Sequence, residues 1–122
     1  VVNCFYFCDP GGMSDYVASK VPLPADVRTP EICRLSFTNI RCRNAHWSGV
    51  YLYGLPERKI REAHLENIDI FFAPDAEWGT PAMMRDCLKV CRLGILAENI
   101  EKLRMKNVRI DGKEISTDSY TP

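Results

Sequence analysis

Three observations predict an all-β chain wound as a right-handed single-stranded parallel β-helix: a repeated Asn-centred pattern, a one-residue shift of the apolar alternation at each Asn, and β-rich runs closed by Gly or Pro. Leu35-Ser-Phe-Thr-Asn39-Ile-Arg-Cys42 overlays Ala63-His-Leu-Glu-Asn67-Ile-Asp-Ile70 and Leu103-Arg-Met-Lys-Asn107-Val-Arg-Ile110. Each reads apolar-x-apolar-x-Asn-apolar-x-apolar. Before the Asn the apolar residues alternate as in a half-buried strand, and after it they alternate again, displaced by one. A straight strand would then send one half of its apolar side chains outward. A corner at the Asn keeps both halves facing the same interior. Asn suits such a corner, because it tolerates left-handed backbone angles and its amide can hydrogen-bond locally. Stacked at the strand spacing of roughly 4.8 Å, such coils would pair in parallel and align the asparagines as a ladder of amide hydrogen bonds.

The remaining elements are placed around this unit. Val1-Val2-Asn3-Cys4-Phe5-Tyr6 reads as a truncated opening copy with Asn3 in the Asn position. Gly49-Val-Tyr-Leu-Tyr53-Gly54 is a β-rich run closed by a turn, and Gly94-Ile-Leu-Ala97 is its counterpart in the following coil. The chain is read as one partial β-helix segment over 1–122, with coils near 1–8, 33–54, 60–72 and 82–112. The unequal Asn spacing places loop insertions at 9–30 and 73–81, where Gly, Pro, Asp and Ser accumulate. Pro81 to Cys91 stays open between two readings. Met84, Leu88 and Cys91 suit one helical face behind a Thr80-Pro81 start, whereas a coil would begin there with a strand.

Composition narrows the function classes. Sixteen Lys and Arg against 16 Asp and Glu leave no net charge, which removes the electrostatic basis for nonspecific nucleic-acid or membrane-surface binding. No apolar run approaches the roughly 20 residues of a membrane span. The six cysteines include none in a Cys-x-x-Cys knuckle. Cys4 and Cys8, like Cys87 and Cys91, have the Cys-x-x-x-Cys spacing of half a metal site. With only His46 and His64 available as histidine ligands, the expectation is buried thiols, no metal and no cofactor. Free thiols in this number suit a reducing, cytoplasmic compartment. A chain that opens on Val1 leaves a secreted or periplasmic origin as the alternative.

Together with Tyr53-Gly54-Leu55-Pro56-Glu57, Leu65-Glu66-Asn67-Ile68-Asp69-Ile70, Pro81-Ala82-Met83-Met84 and Leu103-Arg-Met-Lys-Asn107-Val108, the repeat resembles the C-terminal coils of glycoside hydrolase family 28, the polygalacturonases. The resemblance runs from about Val1 to Gly112. The opening Asn3-Cys4-Phe5-Tyr6-Phe7-Cys8-Asp9-Pro10 is similar to the bacterial, exo-acting-like branch. It implies a pectin-lyase-like solenoid from an enzyme that hydrolyses α-1,4-linked galacturonic acid with inversion and without a metal. That chemistry needs carboxylates on both faces of the scissile bond. The family's Asn-Thr-Asp, Asp-Asp, Gly-His-Gly and Arg-Ile-Lys signatures are absent here. Ser116-Thr117-Asp118 is a partial echo, His46 and His64 lack flanking glycines, and Arg58-Lys59-Ile60-Arg61 scrambles the basic motif. No catalytic residue is transferred. The expectation is a C-terminal, non-catalytic segment of a polygalacturonase-like hydrolase, the alternative being a stand-alone carbohydrate-binding or structural β-solenoid module.

Substrate contact would then fall to Trp47, Tyr51, Tyr53 and Arg58. Tyr51 and Tyr53 share one strand face, and Val50 and Leu52 the other. If the aliphatic face is inward, the tyrosines can stack on sugar rings together with Trp47; otherwise they are packing residues. Arg58 can grip a uronate carboxylate in a forked hydrogen bond, as can Arg41, Arg43, Lys59 and Arg61, or these cations can simply guard a solvated sheet edge. Cys42 and Cys4 fall at inward positions and His64 at an outward one. Glu57, Glu62 and Glu66 have no partner across a cleft that the sequence can show. The expected partner is an oligogalacturonide or polysaccharide, with self-association through an exposed solenoid end, where unpaired strands template further pairing.

Overall fold

The computed structural model describes residues 1–5 and 19–117. Tyr6 to Cys8 of the opening copy, residues 9–18 of the first insertion and Asp118 lie outside the described residues. The fold is all-β. Seven strands form among the described residues and no helix does: β1 (Val2–Asn3), β2 (Arg34–Ala45), β3 (Ser48–Tyr53), β4 (Glu62–Phe72), β5 (Leu93–Glu98), β6 (Leu103–Ile110) and β7 (Lys113–Ile115).

The chain alternates between two sheets. One has the order β1-β3-β5 and the other β2-β4-β6-β7. All pairings are parallel except β6 with β7, which folds back antiparallel and covers the outer edge of β6. The expected pairing of the Gly49 and Gly94 runs is present, with Val50 opposite Ile95 and Leu52 opposite Ala97.

The corners follow the asparagines. Asn39, Asn67 and Asn107 have φ of 58°, 54° and 52°, in the left-handed region that few residues other than Gly and Asn enter easily. The strand ladders pair the residues on either side of each Asn and skip the Asn itself. Its side chain makes the inter-strand link instead: Asn67 Nδ2 donates to Asn39 Oδ1 at 3.0 Å, and Asn107 Nδ2 donates to Asn67 Oδ1 at 2.9 Å. The frame shift then works as the pattern requires. Ala63 and Leu65 before the corner, and Ile68, Ile70 and Phe72 after it, are all buried, while His64, Glu66 and Asp69 between them are not.

That inward row builds the main core. Leu65, Ile68, Ile70, Phe72 and Val108 pack with Phe37, Cys42, Val50, Ile95 and Ile110 between the two sheets. A fully buried Leu or Ile of this kind contributes about 1.5–3 kcal/mol by removal from water.

Two readings of local register differ from the structure. Asn3 does not stand in the Asn ladder; it lies in the other sheet opposite Tyr53, its Oδ1 accepting from the Phe5 N–H at 2.9 Å. The two residues before it carry no alternation, so nothing local fixes which sheet they join. The Pro81 to Cys91 segment is neither helix nor strand. Asp86 sits at φ 57°, which interrupts a right-handed helix, Gly79 and Val90 form an antiparallel bridge, and Leu88 is exposed.

Candidate functional site

Both faces of β3 are covered, an outcome that neither reading of the tyrosines anticipates. Val50 packs into the core between the sheets, so Tyr51 and Tyr53 do face the other way. The Pro81 to Cys91 segment lies over them. Ala82 and Met84 pack with Phe5 and Tyr51 into a second cluster, to which Tyr53, Leu55, Cys87 and Leu96 contribute. Tyr51 is 5% exposed and offers no ring face to a ligand. Its hydroxyl is 3.8 Å from Cys87 Sγ, and burial, followed by that contact, raises its pKa well above the usual phenol range. Tyr53 is half-buried, edge-on to Phe5 at 5.4 Å between ring centroids, with Lys20 Nζ 5.8 Å above its ring.

Trp47 keeps an exposed ring. It packs against the bare backbone of Gly79, where any Cβ would meet the indole nitrogen at 2.2 Å, so the absence of a side chain at 79 is what lets the ring lie there. Together with Thr80, Pro81, Met83 and Met84 it borders a shallow depression. Arg58 is elsewhere, donating from Nη1 to the Thr29 carbonyl at 2.7 Å. It lines an open depression with Lys59, Arg61, Glu31, Glu57 and Glu101, where three cations meet three carboxylates. The structure thus places Trp47 and Tyr51 both against the Ala82 to Met84 stretch, and gives Arg58 no depression in common with them.

The most charge-imbalanced depression contains residues the sequence reading passed over. Arg34, Arg61, Lys102 and Arg104 surround Glu62 and Cys33 in an open hollow of about 580 Å³, four cations against one carboxylate. Strand register assembles it: Arg34 of β2 stands opposite Glu62 of β4, and Arg104 of β6 opposite His64. Glu62 accepts from Arg34 Nη2 at 3.1 Å and from Arg104 Nε at 2.6 Å. His64 Nε2 is closed off from solvent without an aligned hydrogen-bond partner, and lies 2.8 Å from Glu62 Oε1. Arg61 is tied to Glu31 and borders both this hollow and that of Arg58. Overlaying the three repeats would have placed Arg34 against Glu62. The diagonal reach of Arg104 from the His64 position is a tertiary detail that no repeat alignment carries.

These neighbours set the acidity of Glu62. The nearby His64, then Arg104, then Arg34 hold its pKa down at about 2. A carboxyl depressed on folding favours the folded state while ionised. That contribution is complete above the ordinary value of 4.5 and is lost as pH falls through about 2. Thermal melts of wild type and Glu62→Gln should therefore differ most above pH 4.5 and converge toward pH 2. A gap that stays constant across this range would show that the charge of Glu62 is immaterial.

No set of three His, Cys, Asp or Glu side chains close enough to hold a metal ion occurs among the described residues. Five cysteines, Cys4, Cys33, Cys42, Cys87 and Cys91, are free thiols. No described helix is long and apolar enough to cross a membrane. No protein-family model, curated protein or solved structure matches the chain.

Proposed function

We propose that this chain forms C-terminal, non-catalytic coils of a right-handed parallel β-helix from a polygalacturonase-like, bacterial glycoside hydrolase, and that its outer face holds a galacturonan chain. The observation that carries the reading is the hollow around Glu62, where four cations stand over one carboxylate on the outer face of parallel strands linked by an Asn ladder. Glu62 occupies Arg34 and Arg104, leaving Lys102 and the outer edge of Arg61 to meet uronate carboxylates, with Arg58 and Lys59 continuing the row past Arg61. Trp47 supplies an exposed ring for sugar stacking, and Tyr53 a partial one. The carboxylates on this face are committed to cations, Glu62 to Arg34 and Arg104, Glu66 to Lys106 and Asp69 to Arg41, which suits binding rather than acid–base work. The free thiols support a cytoplasmic setting.

Titration of the pure chain with oligogalacturonate, monitored by calorimetry, tests the reading. Binding should weaken as salt rises, disappear for the fully methyl-esterified oligomer, and drop about tenfold in a Lys102→Ala, Arg61→Ala double variant, the scale of one or two charge-assisted hydrogen bonds. Equal affinity for the neutral oligomer would remove the uronate assignment. Release of reducing ends by the pure chain would remove the non-catalytic one.

A further inference from the structure

The segment over the tyrosines of β3 belongs to neither sheet, and it is closed at its base. There the Gly79 N–H donates to the Val90 carbonyl at 3.0 Å and the Val90 N–H to the Gly79 carbonyl at 2.9 Å. No strand includes any of residues 73–92. Beyond the neck the backbone hydrogen bonds are local, Met84 to Ala82 and Cys87 to Met84. Residues 79–90 thus have the closed neck and the size of an Ω-loop, which can swing on its neck without unzipping a sheet. Ala82 and Met84 are its buried side chains, and its Met83 carbonyl accepts from Asn3 Nδ2 at 3.3 Å. Its other apolar side chains stay in solvent: Met83 is exposed, and Leu88 is 80% exposed.

Beneath the loop lies an aromatic surface with polar groups that packing does not explain. Tyr51 and Tyr53 stand side by side, 6.3 Å between ring centroids and 25° between ring planes, on β3, which is paired on both edges. Phe5 meets Tyr53 edge-on. Tyr51 is buried, yet its hydroxyl faces a thiol, Cys87 Sγ at 3.8 Å, a weak partner that leaves a phenol's usual demand for an oxygen unmet. Lys20 Nζ stands 5.8 Å above the Tyr53 ring, and Glu98 pairs with Tyr53 across the β3–β5 ladder. From these features we infer that residues 80–89 are a lid, and that the tyrosines beneath form a binding site for one uronate ring of a saccharide. The sugar takes the place of Ala82 and Met84. Its apolar face lies on the tyrosine rings, its carboxylate meets Lys20, and its hydroxyls meet the Tyr51 phenol and Glu98.

A lid of this kind reverses the usual effect of truncating a packed side chain. A ligand that needs the open state binds with its intrinsic affinity multiplied by the open fraction, so a change that loosens the lid tightens binding. Met84, if it only fills space, does the opposite or nothing when shortened. The choice of a uronate rests on the galacturonan reading above; the opening of the loop is a property of the chain alone and is read without sugar.

Two variants release the platform by different routes. Replacing residues 80–89 with Asn-Gly keeps the Gly79–Val90 pair as a tight hairpin and removes the cover. Met84→Ala keeps the loop and removes its anchor. In calorimetric titrations oligogalacturonate should bind the lidless chain about tenfold more tightly than wild type, and Met84→Ala about fivefold more tightly. Tyr53→Leu in the lidless chain should cancel the gain. Acetylation of Tyr51 by N-acetylimidazole, followed by mass spectrometry of peptides, reads the lid without sugar. Its rate should barely respond to urea well below the unfolding midpoint, and should rise in Met84→Ala by the same factor of about five. Failure of both variants to tighten binding, or a gain that survives Tyr53→Leu, would overturn the site. A Tyr51 rate that tracks global unfolding in urea would overturn the lid. Lys102→Ala with Arg61→Ala separates the two readings: if that pair still weakens binding while the lid variants change nothing, this inference fails and the galacturonan reading stands. If no form binds oligogalacturonate, both fall.

Discussion

Asn67→Ala is expected to lower the unfolding free energy by about 2–4 kcal/mol in urea titrations, more than any other single change to the ladder. Asn67 is its middle rung, donating to Asn39 and accepting from Asn107. Both bonds are solvent-exposed, so each contributes near the low end of the usual range, about 0.5–1 kcal/mol. The backbone supplies the rest. At φ 54° an alanine Cβ crowds the following carbonyl, which costs about 1–2 kcal/mol. Two companion variants separate these contributions. Asn67→Gly loses the same two bonds without the left-handed penalty and should recover about 1 kcal/mol relative to Ala. Asn39→Ala keeps the left-handed strain, at φ 58°, but loses only one bond, and should be milder than Asn67→Ala by about one exposed hydrogen bond. If the glycine and alanine variants at 67 were equally stable, the corner would owe nothing to the conformational tolerance of Asn.

How much of this molecule could be read in its sequence depended on whether a feature repeats. The ladder, the inward row and the pairing of β3 with β5 were legible, because three copies of one pattern register themselves: once Asn39, Asn67 and Asn107 align, every flanking residue has a place. The cover over Tyr51 was not. Between Gly79 and Val90 the chain makes one antiparallel bridge and two tight turns, with Asp86 left-handed, and such a segment has no period to detect. Its landing on β3 decided the fate of the aromatic candidates, burying Tyr51 and leaving Trp47 the exposed ring. Asn3 failed for a related reason, since a two-residue strand gives no alternation from which to infer its sheet. The hollow around Glu62 is an intermediate case. Its side chains lie on the outward face that the repeat identifies, but its cations come from β2, β6 and the residues flanking β4 and β6, and only the stacked strands bring them together.

Gly49→Ala should destabilise the chain by about 1–3 kcal/mol, the usual cost of forcing an extra carbon into a packed interior. A Cβ at this position would stand 2.6 Å from Ile70 Cδ1, 2.8 Å from the Gly94 carbonyl oxygen and 2.9 Å from Ile70 Cγ2. Of the two Ile70 carbons, Cδ1 is the end of a side chain and can rotate aside. The Gly94 oxygen is backbone of the paired strand β5, so relieving it means prising β3 from β5 across a ladder that runs from Ser48 opposite Leu93 to Tyr53 opposite Glu98. Gly94 provides the internal comparison. A Cβ there meets only a side chain, Ile110 Cδ1 at 2.6 Å, with Ile110 Cγ1 at 4.0 Å. Gly94→Ala should therefore be the milder change, and Ile110→Val, which deletes that Cδ1, should compensate for it. In the Gly49→Ala background, Ile70→Val removes Cδ1 but leaves both the carbonyl and the Cγ2 methyl at 2.9 Å in place, so rescue should be partial. A double-mutant cycle in denaturant reads both couplings directly. Equal costs at the two glycines, or full rescue of Gly49→Ala by Ile70→Val, would show that the backbone contact does not limit how closely the sheets pack. The expected asymmetry would instead show that bare backbone at 49 lets β3 and β5 pair while the Ile70 and Ile110 row fills the space between the sheets. Each sheet would then depend on the other at one atom-sized gap, and a single methyl at Gly49 would be felt through both.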